Sequence, residues 1–241
     1  WVLPAHEEQG PDYWDLKPSP RQKPFGAHTA LTREPDAIDL FCAETGASLA
    51  ETIHLLGDRL APEVVQRVRQ EVARRIFKPY LAYGRKHWWY KGALNWNGVC
   101  NGSIALAFLR LERDPRRVAE ALAIAFSGPQ TFLDTAFESD GSSNEGVGYW
   151  HYGLINLIAL AEMLRARSGG ALDPLASPRL HQIAAYPPAM QLSGSVFAAF
   201  SDCDETTDFN FGIIQRLAER TGVGTLRNLT ARPAEPALDC R

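Results

Sequence analysis

The chain has no hydrophobic run of membrane length, no cluster of cysteines and no dominance of one charge, and each lack closes a class of function. The longest apolar stretches, such as residues 153–161, include an Asn and fall well short of the roughly 20 residues a bilayer crossing needs, so no membrane span is expected. Cys42, Cys100, Cys203 and Cys240 are widely spaced, with no CxxC pair or Cys/His ligand cluster; free thiols are expected and a zinc framework is not. The net charge of −3 supplies no whole-molecule attraction for nucleic acid, so an anionic ligand must be caught by a local patch. No charged start with an apolar core and a small-residue cleavage site opens the sequence. It begins at Trp1 rather than Met, as a processed or truncated product would, and on that reading a periplasmic or secreted location is favoured. Strict apolar/polar alternation is also absent, which argues against a sheet.

What is present is enough apolar matter, 45% of 241 residues, for one sizeable core or two small ones. Residues 1–35 hold Pro4, Pro11, Pro18, Pro20, Pro24 and Pro35, which predicts an extended segment over a surface. Helical spacing of apolar residues then covers 36–47, 49–60 and 62–83, the last opened by Pro62 and Glu63 and kinked or broken at Lys78–Pro79. Further helices are expected over 95–112, over 114–126 with Asp114 as cap and Pro115 in the first turn, in a short piece from Pro129, and over 149–166, 173–190 and 209–220. The stretch "SGSVFAAF", Ser193 to Phe200, fits a short helix or a strand. Nearly apolar helices (95–112, 149–166) interleave with amphipathic ones (62–83, 114–126), as an inner ring wrapped by an outer ring would. The expected class is all-α, and the expected architecture over 36–241 is an α/α toroid, an incomplete barrel of helix hairpins.

Three segments carry candidate chemistry. In "YGRKHWWYKG", Arg85, Lys86, His87 and Lys91 surround Trp88, Trp89 and Tyr90, a mixture that suits an anionic sugar, since rings stack on pyranose faces while cations meet carboxylate or sulfate; the plainer alternative is a basic-rimmed loop whose aromatics fill the core. In "NWNGVCNGS", Asn95 stands at a helix start as either cap or ligand donor, and Asn97 and Asn101 share a face at i, i+4. In "ESDGSSNEGVGYWHYG", a Gly- and Ser-rich loop feeds a helix on which Tyr149, Tyr152 and Asn156 share a face; unpaired burial of those groups would be costly, so they must meet partners or a water-filled cleft. Gly146 and Gly148 permit close approach, Glu145 could cap amides or hold a ligand hydroxyl, and His151 points away from the Tyr149 face as a packing residue. The acidic "SDCDETTD" lacks a metal-loop pattern and is expected to be a solvated turn.

The last two segments, "NWNGVCNGSIALAFL" and "DGSSNEGVGYWHYG", resemble paired motifs of the heparinase II/III-like polysaccharide lyases, which include alginate and oligoalginate lyases. The match extends more weakly from about Ala47 through the Trp-rich loop to about Asp202. The resemblance implies an α/α toroid that cleaves an anionic, uronate-containing polysaccharide or oligosaccharide by β-elimination; family members sometimes carry a metal site in a further domain, but no metal ligand and no cofactor is expected within this sequence. It makes Asn95 the neutraliser of the uronate carboxylate and Tyr149 the base and acid, with Tyr152 the alternative one turn on. Asn97, Glu145, Trp96, Arg85, Lys86, His87, Trp88, Trp89, Lys91 and Asn101 would bind or brace the substrate. Family members usually add a β-sandwich after the toroid; this sequence shows no strand-rich region before it ends at Arg241 after "TARPAEPALDC", so a truncated form is expected. The chemistry is coherent: removing a proton beside a carboxylate adds charge to an anion, so donors aimed at that carboxylate act chiefly in the transition state. A phenol is a poor base at neutrality, and Arg85, Lys86, Lys91 or a His is expected to favour its phenolate. Two other classes remain: a glycoside hydrolase using Asp140 and Glu145, and a non-catalytic carbohydrate binder.

Overall fold

The computed structural model describes residues 38–230; the Pro-rich segment 1–35 and Cys240 lie outside the described residues. Eight α-helices dominate: α1 (Leu40–Leu56), α2 (Pro62–Val72), α3 (Lys78–Tyr83), α4 (Asn95–Leu111), α5 (Pro115–Thr135), α6 (Gly146–Arg167), α7 (Leu180–Met190) and α8 (Phe211–Thr221). A small antiparallel hairpin joins β1 (Gln191–Ser193) to β2 (Val196–Phe197). The all-α class holds. The hairpin resolves "SGSVFAAF" as partly strand, turning at Gly194 with its φ of 53°. None of the described helices is long and apolar enough to cross a membrane.

Local chemistry sets the helix starts. The Asp39 carboxylate accepts the Cys42 N–H at 2.7 Å, Asp114 accepts the Arg116 N–H at 2.9 Å ahead of Pro115, and Asn210 accepts the Ile213 N–H at 3.1 Å. Elsewhere helices run through expected breaks. Residues 40–56 form one helix because nothing at Ala47–Leu49 interrupts it. Pro129 does not start a new helix but sits inside α5, where the Ser127, Thr131 and Thr135 hydroxyls bond carbonyls four residues back. Ahead of Pro79 the chain widens into a π-turn over Ala73–Phe77 instead of breaking.

The helix α4 is central. It packs along α1, α5 and α6, and nearly all of its side chains are buried, which is why its sequence is apolar all round. Two glycines make this possible: a Cβ on Gly98 would overlap the Gly153 carbonyl oxygen, and one on Gly153 would fall 3.1 Å from the Asn95 Cα. On one side of α4 a core forms from α1 to α5 around Trp89, Phe77 and Phe108; on the other, Trp150, Leu154 and Leu157 of α6 pack with α7 and α8. The α4–α6 seam carries the first turn of α4 alongside the first two turns of α6.

Candidate active site

Glu145 is the last residue before α6, and its side chain does not cap its own helix. Instead the carboxylate reaches the start of α4, where Oε2 accepts the Asn95 backbone N–H at 2.8 Å and Oε1 accepts the Asn95 side-chain N–H at 2.7 Å. Asn95 is therefore not the cap of α4; Leu94 holds the cap position without a side-chain bond, and Glu145 satisfies the free N–H from across the seam. Asn95 is 3% exposed and its Oδ1 is buried with no hydrogen-bond partner. Burial pushes the Glu145 carboxyl above the ordinary carboxylate range, against the lowering effect of the two Asn95 bonds.

These contacts locate Tyr149. Asn95 meets α6 at Glu145 through hydrogen bonds and at Gly153 through close packing, and Tyr149 lies one turn from each on the same flank of the helix. The Tyr149 side chain is half-buried and lines a cleft of about 310 Å³ together with Gly148, Tyr152 and the segment Asp202 to Asp208. Among the described residues, nothing hydrogen-bonds its hydroxyl.

The opposite wall comes from the acidic turn. Cys203 accepts the Gly148 N–H on its Sγ at 3.0 Å, and a Cβ on Gly146 or Gly148 would press on Cys203, so the two glycines admit the segment against the start of α6. Asp202, Asp204, Thr206, Thr207 and Asp208 then face the cleft. His151 holds the far end: its Nε2 accepts the Asn210 N–H at 2.9 Å. The ring is 5% exposed, and burial pushes its pKa down to about 4, so it serves as a neutral acceptor. The expectation of a solvated turn holds, since most of residues 201–208 are exposed, and the structure adds that the same turn forms a cleft wall, a placement that sequence reasoning missed. Its density of polar groups beside a lone Cys was the available signal.

The other expected site residues divide. Tyr152 lines the cleft but donates its hydroxyl to Glu44 Oε2 at 2.7 Å, with Asn156 donating to Glu44 Oε1 at 3.5 Å. Burial, then the bonded Glu44 carboxylate, raise the Tyr152 phenol well above its ordinary value and keep it protonated. Asn97 and Asn101 are fully buried in an internal ladder: Asn97 donates to the Tyr90 carbonyl at 2.8 Å, Asn101 donates to Asn97 Oδ1 at 2.8 Å, and Tyr80 donates to Asn101 Oδ1 at 2.7 Å. Their amides are spent on protein partners. In the Trp-rich segment, Trp89 is fully buried and donates to the Ile38 carbonyl at 2.8 Å, while the buried His87 stacks on it with centroids 4.9 Å apart. The half-buried Trp88 and Trp96 pair at 4.9 Å beside the start of α4. Arg85, Lys86 and Lys91 are exposed, Arg85 donating to the Ala123 carbonyl at 3.3 Å and Lys86 lying over the Tyr83 ring, and none of them lines the Tyr149 cleft. The positive charge expected beside the phenol is thus not among the lining residues.

Asp140 is exposed and accepts the Ser142 N–H and hydroxyl within its own loop, which holds its carboxyl below the ordinary range. Arg179 clamps that loop to the end of α5 through the carbonyls of Leu133, Asp134, Phe137 and Glu138. No group of three or more His, Cys, Asp or Glu among the described residues is arranged to hold a metal ion. Cys42, Cys100 and Cys203 are free thiols. In comparisons with known proteins, no family model and no curated protein matches the chain.

Proposed function

We propose that this protein is a polysaccharide lyase that cleaves a uronic-acid-containing chain by β-elimination, its helices forming part of an α/α toroid of the heparinase II/III-like kind. The supporting observation is the pairing along the α4–α6 seam. Asn95 engages a carboxylate through two N–H groups, and Tyr149, one turn along α6, lines a cleft whose lining does not itself include Asn95. The motif resemblance gives the direction of the chemistry. Tyr149 takes the C5 proton, the C4–O bond breaks as the C4=C5 double bond forms, and the proton passes to the departing oxygen. The Asn95 N–H groups hold the uronate carboxylate while charge builds on it. Tyr152 remains a donor to Glu44 and shapes the cleft.

Incubation with alginate, heparan-type and hyaluronan-type polymers tests the reading. A lyase gives an ultraviolet-absorbing unsaturated sugar end, and Tyr149→Phe lowers its rate of appearance by roughly 10²–10⁴-fold while oligosaccharide binding persists. Unchanged turnover in that variant removes Tyr149 from the mechanism. The second reading, a hydrolase, draws on Asp202, Asp204 and Asp208 lining the cleft. It yields new reducing ends with no gain in absorbance.

A further inference from the structure

The Glu145 carboxylate stands where the proposed reaction needs the carboxylate of its substrate. We infer that the start of α4 is a carboxylate-binding site held in this structure by Glu145, and that a uronate enters by displacing the Glu145 side chain from Asn95. The inference rests on the lyase reading for the identity of the displacing ligand.

Three observations carry it. The two donors, the Asn95 backbone N–H and its side-chain N–H, converge on one carboxylate at 2.8 and 2.7 Å, at the positive end of a 17-residue helix. The Asn95 Oδ1 beside them is buried without a partner in a residue 3% exposed, an arrangement that ordinarily costs stability. A uronate meets both needs at once, since its carboxylate replaces that of Glu145 on the N–H groups and a ring hydroxyl donates to Oδ1; a simple carboxylate meets only the first. Lastly, Glu145 is only half-buried and precedes the first residue of α6 without capping it, so rotation about its own side-chain bonds can carry the carboxylate toward solvent with α6 intact.

The test is thermal unfolding of the full chain and of Glu145→Ala in glucuronate, against glucose and sodium chloride at matched ionic strength. Glucuronate is expected to raise the Tm of Glu145→Ala by roughly 2–4 °C more than either control, with a smaller rise in the unaltered protein. The rise should vanish in the double variant Asn95→Ala/Glu145→Ala. Equal response to glucuronate and chloride, or a rise that survives loss of Asn95, overturns the inference. If Glu145→Ala does not fold, glucuronate titration of the unaltered protein is followed by nuclear magnetic resonance at the Asn95 backbone and side-chain N–H groups; shifts at both support the exchange, and silence at both overturns it. Unsaturated sugar ends without a glucuronate response overturn the exchange and leave the lyase reading standing. A glucuronate response without unsaturated ends does the reverse.

Discussion

His151 can accept the Asn210 N–H at 2.9 Å only through an unprotonated Nε2, so a buried ring and a backbone bond fix its charge together. Its pKa is pushed down to about 4 in the fold, against an ordinary value near 6.5 when unfolded. Below pH 6.5 the unfolded chain therefore takes up a proton that the folded chain refuses. Stability from this residue is complete above pH 6.5 and is lost progressively as pH falls to about 4, by up to about 3 kcal/mol. Denaturant titrations across that range, compared with His151→Gln, measure it: the variant should lose most of the slope. The tyrosines separate in the same way. Tyr152→Phe removes a donor from Glu44 and should cost about 1–2 kcal/mol in stability, yet change turnover by less than about tenfold, opposite to Tyr149→Phe. Steady-state rates and Tm on both variants distinguish a phenol that holds a carboxylate from one that moves a proton.

At the scale of elements, the α4–α6 seam depends on small residues. Gly98→Ala would drive a methyl into the Gly153 carbonyl oxygen, a backbone atom that cannot step aside, and should cost about 3 kcal/mol, read as a lowered denaturant midpoint at unchanged slope. The helices themselves were legible from periodicity and caps: Asp114 with Pro115, and the all-round apolar run of α4, read directly as an N-terminus and a buried helix. What was not legible lay in the joints. Pro129 looks like a break, but α5 carries it inside 115–135, and the register of α1 shows no gap at Ala47. Likewise the three amides at the start of α4 read as one cluster, although the fold divides them: Asn95 turns to Glu145 across the seam, while Asn97 and Asn101 turn inward to Tyr90 and Tyr80. Spacing assigns a residue to a helix face, but the identity of the neighbouring element decides what that face meets.

For the molecule as a whole, the distribution of charge matters more than its small net value. The exposed cations Arg85, Lys86 and Lys91 lie on the segment before α4, whereas the Tyr149 cleft is walled by Asp202, Asp204 and Asp208 with no basic residue in its lining. A chain of consecutive uronates laid through this cleft would bring a second carboxylate against three formal negative charges. A sugar that is uncharged or bears an amine meets the same wall, and the Thr206 and Thr207 hydroxyls, without that repulsion. The three aspartates are exposed, so each acts through high-dielectric solvent at about 1 kcal/mol or less at contact distance and is screened by salt. Replacing all three by Asn should tighten binding of a polyuronate oligosaccharide about tenfold at low ionic strength and leave a neutral oligosaccharide of equal length unaffected. The difference should close near 1 M salt, where the screening length falls to about 3 Å. Calorimetric titration of both ligands at two salt concentrations decides it: a polyuronate affinity indifferent to the substitutions means that the chain does not pass the acidic wall, and that its path runs instead from Asn95 toward the Trp88–Trp96 pair and the exposed Lys91.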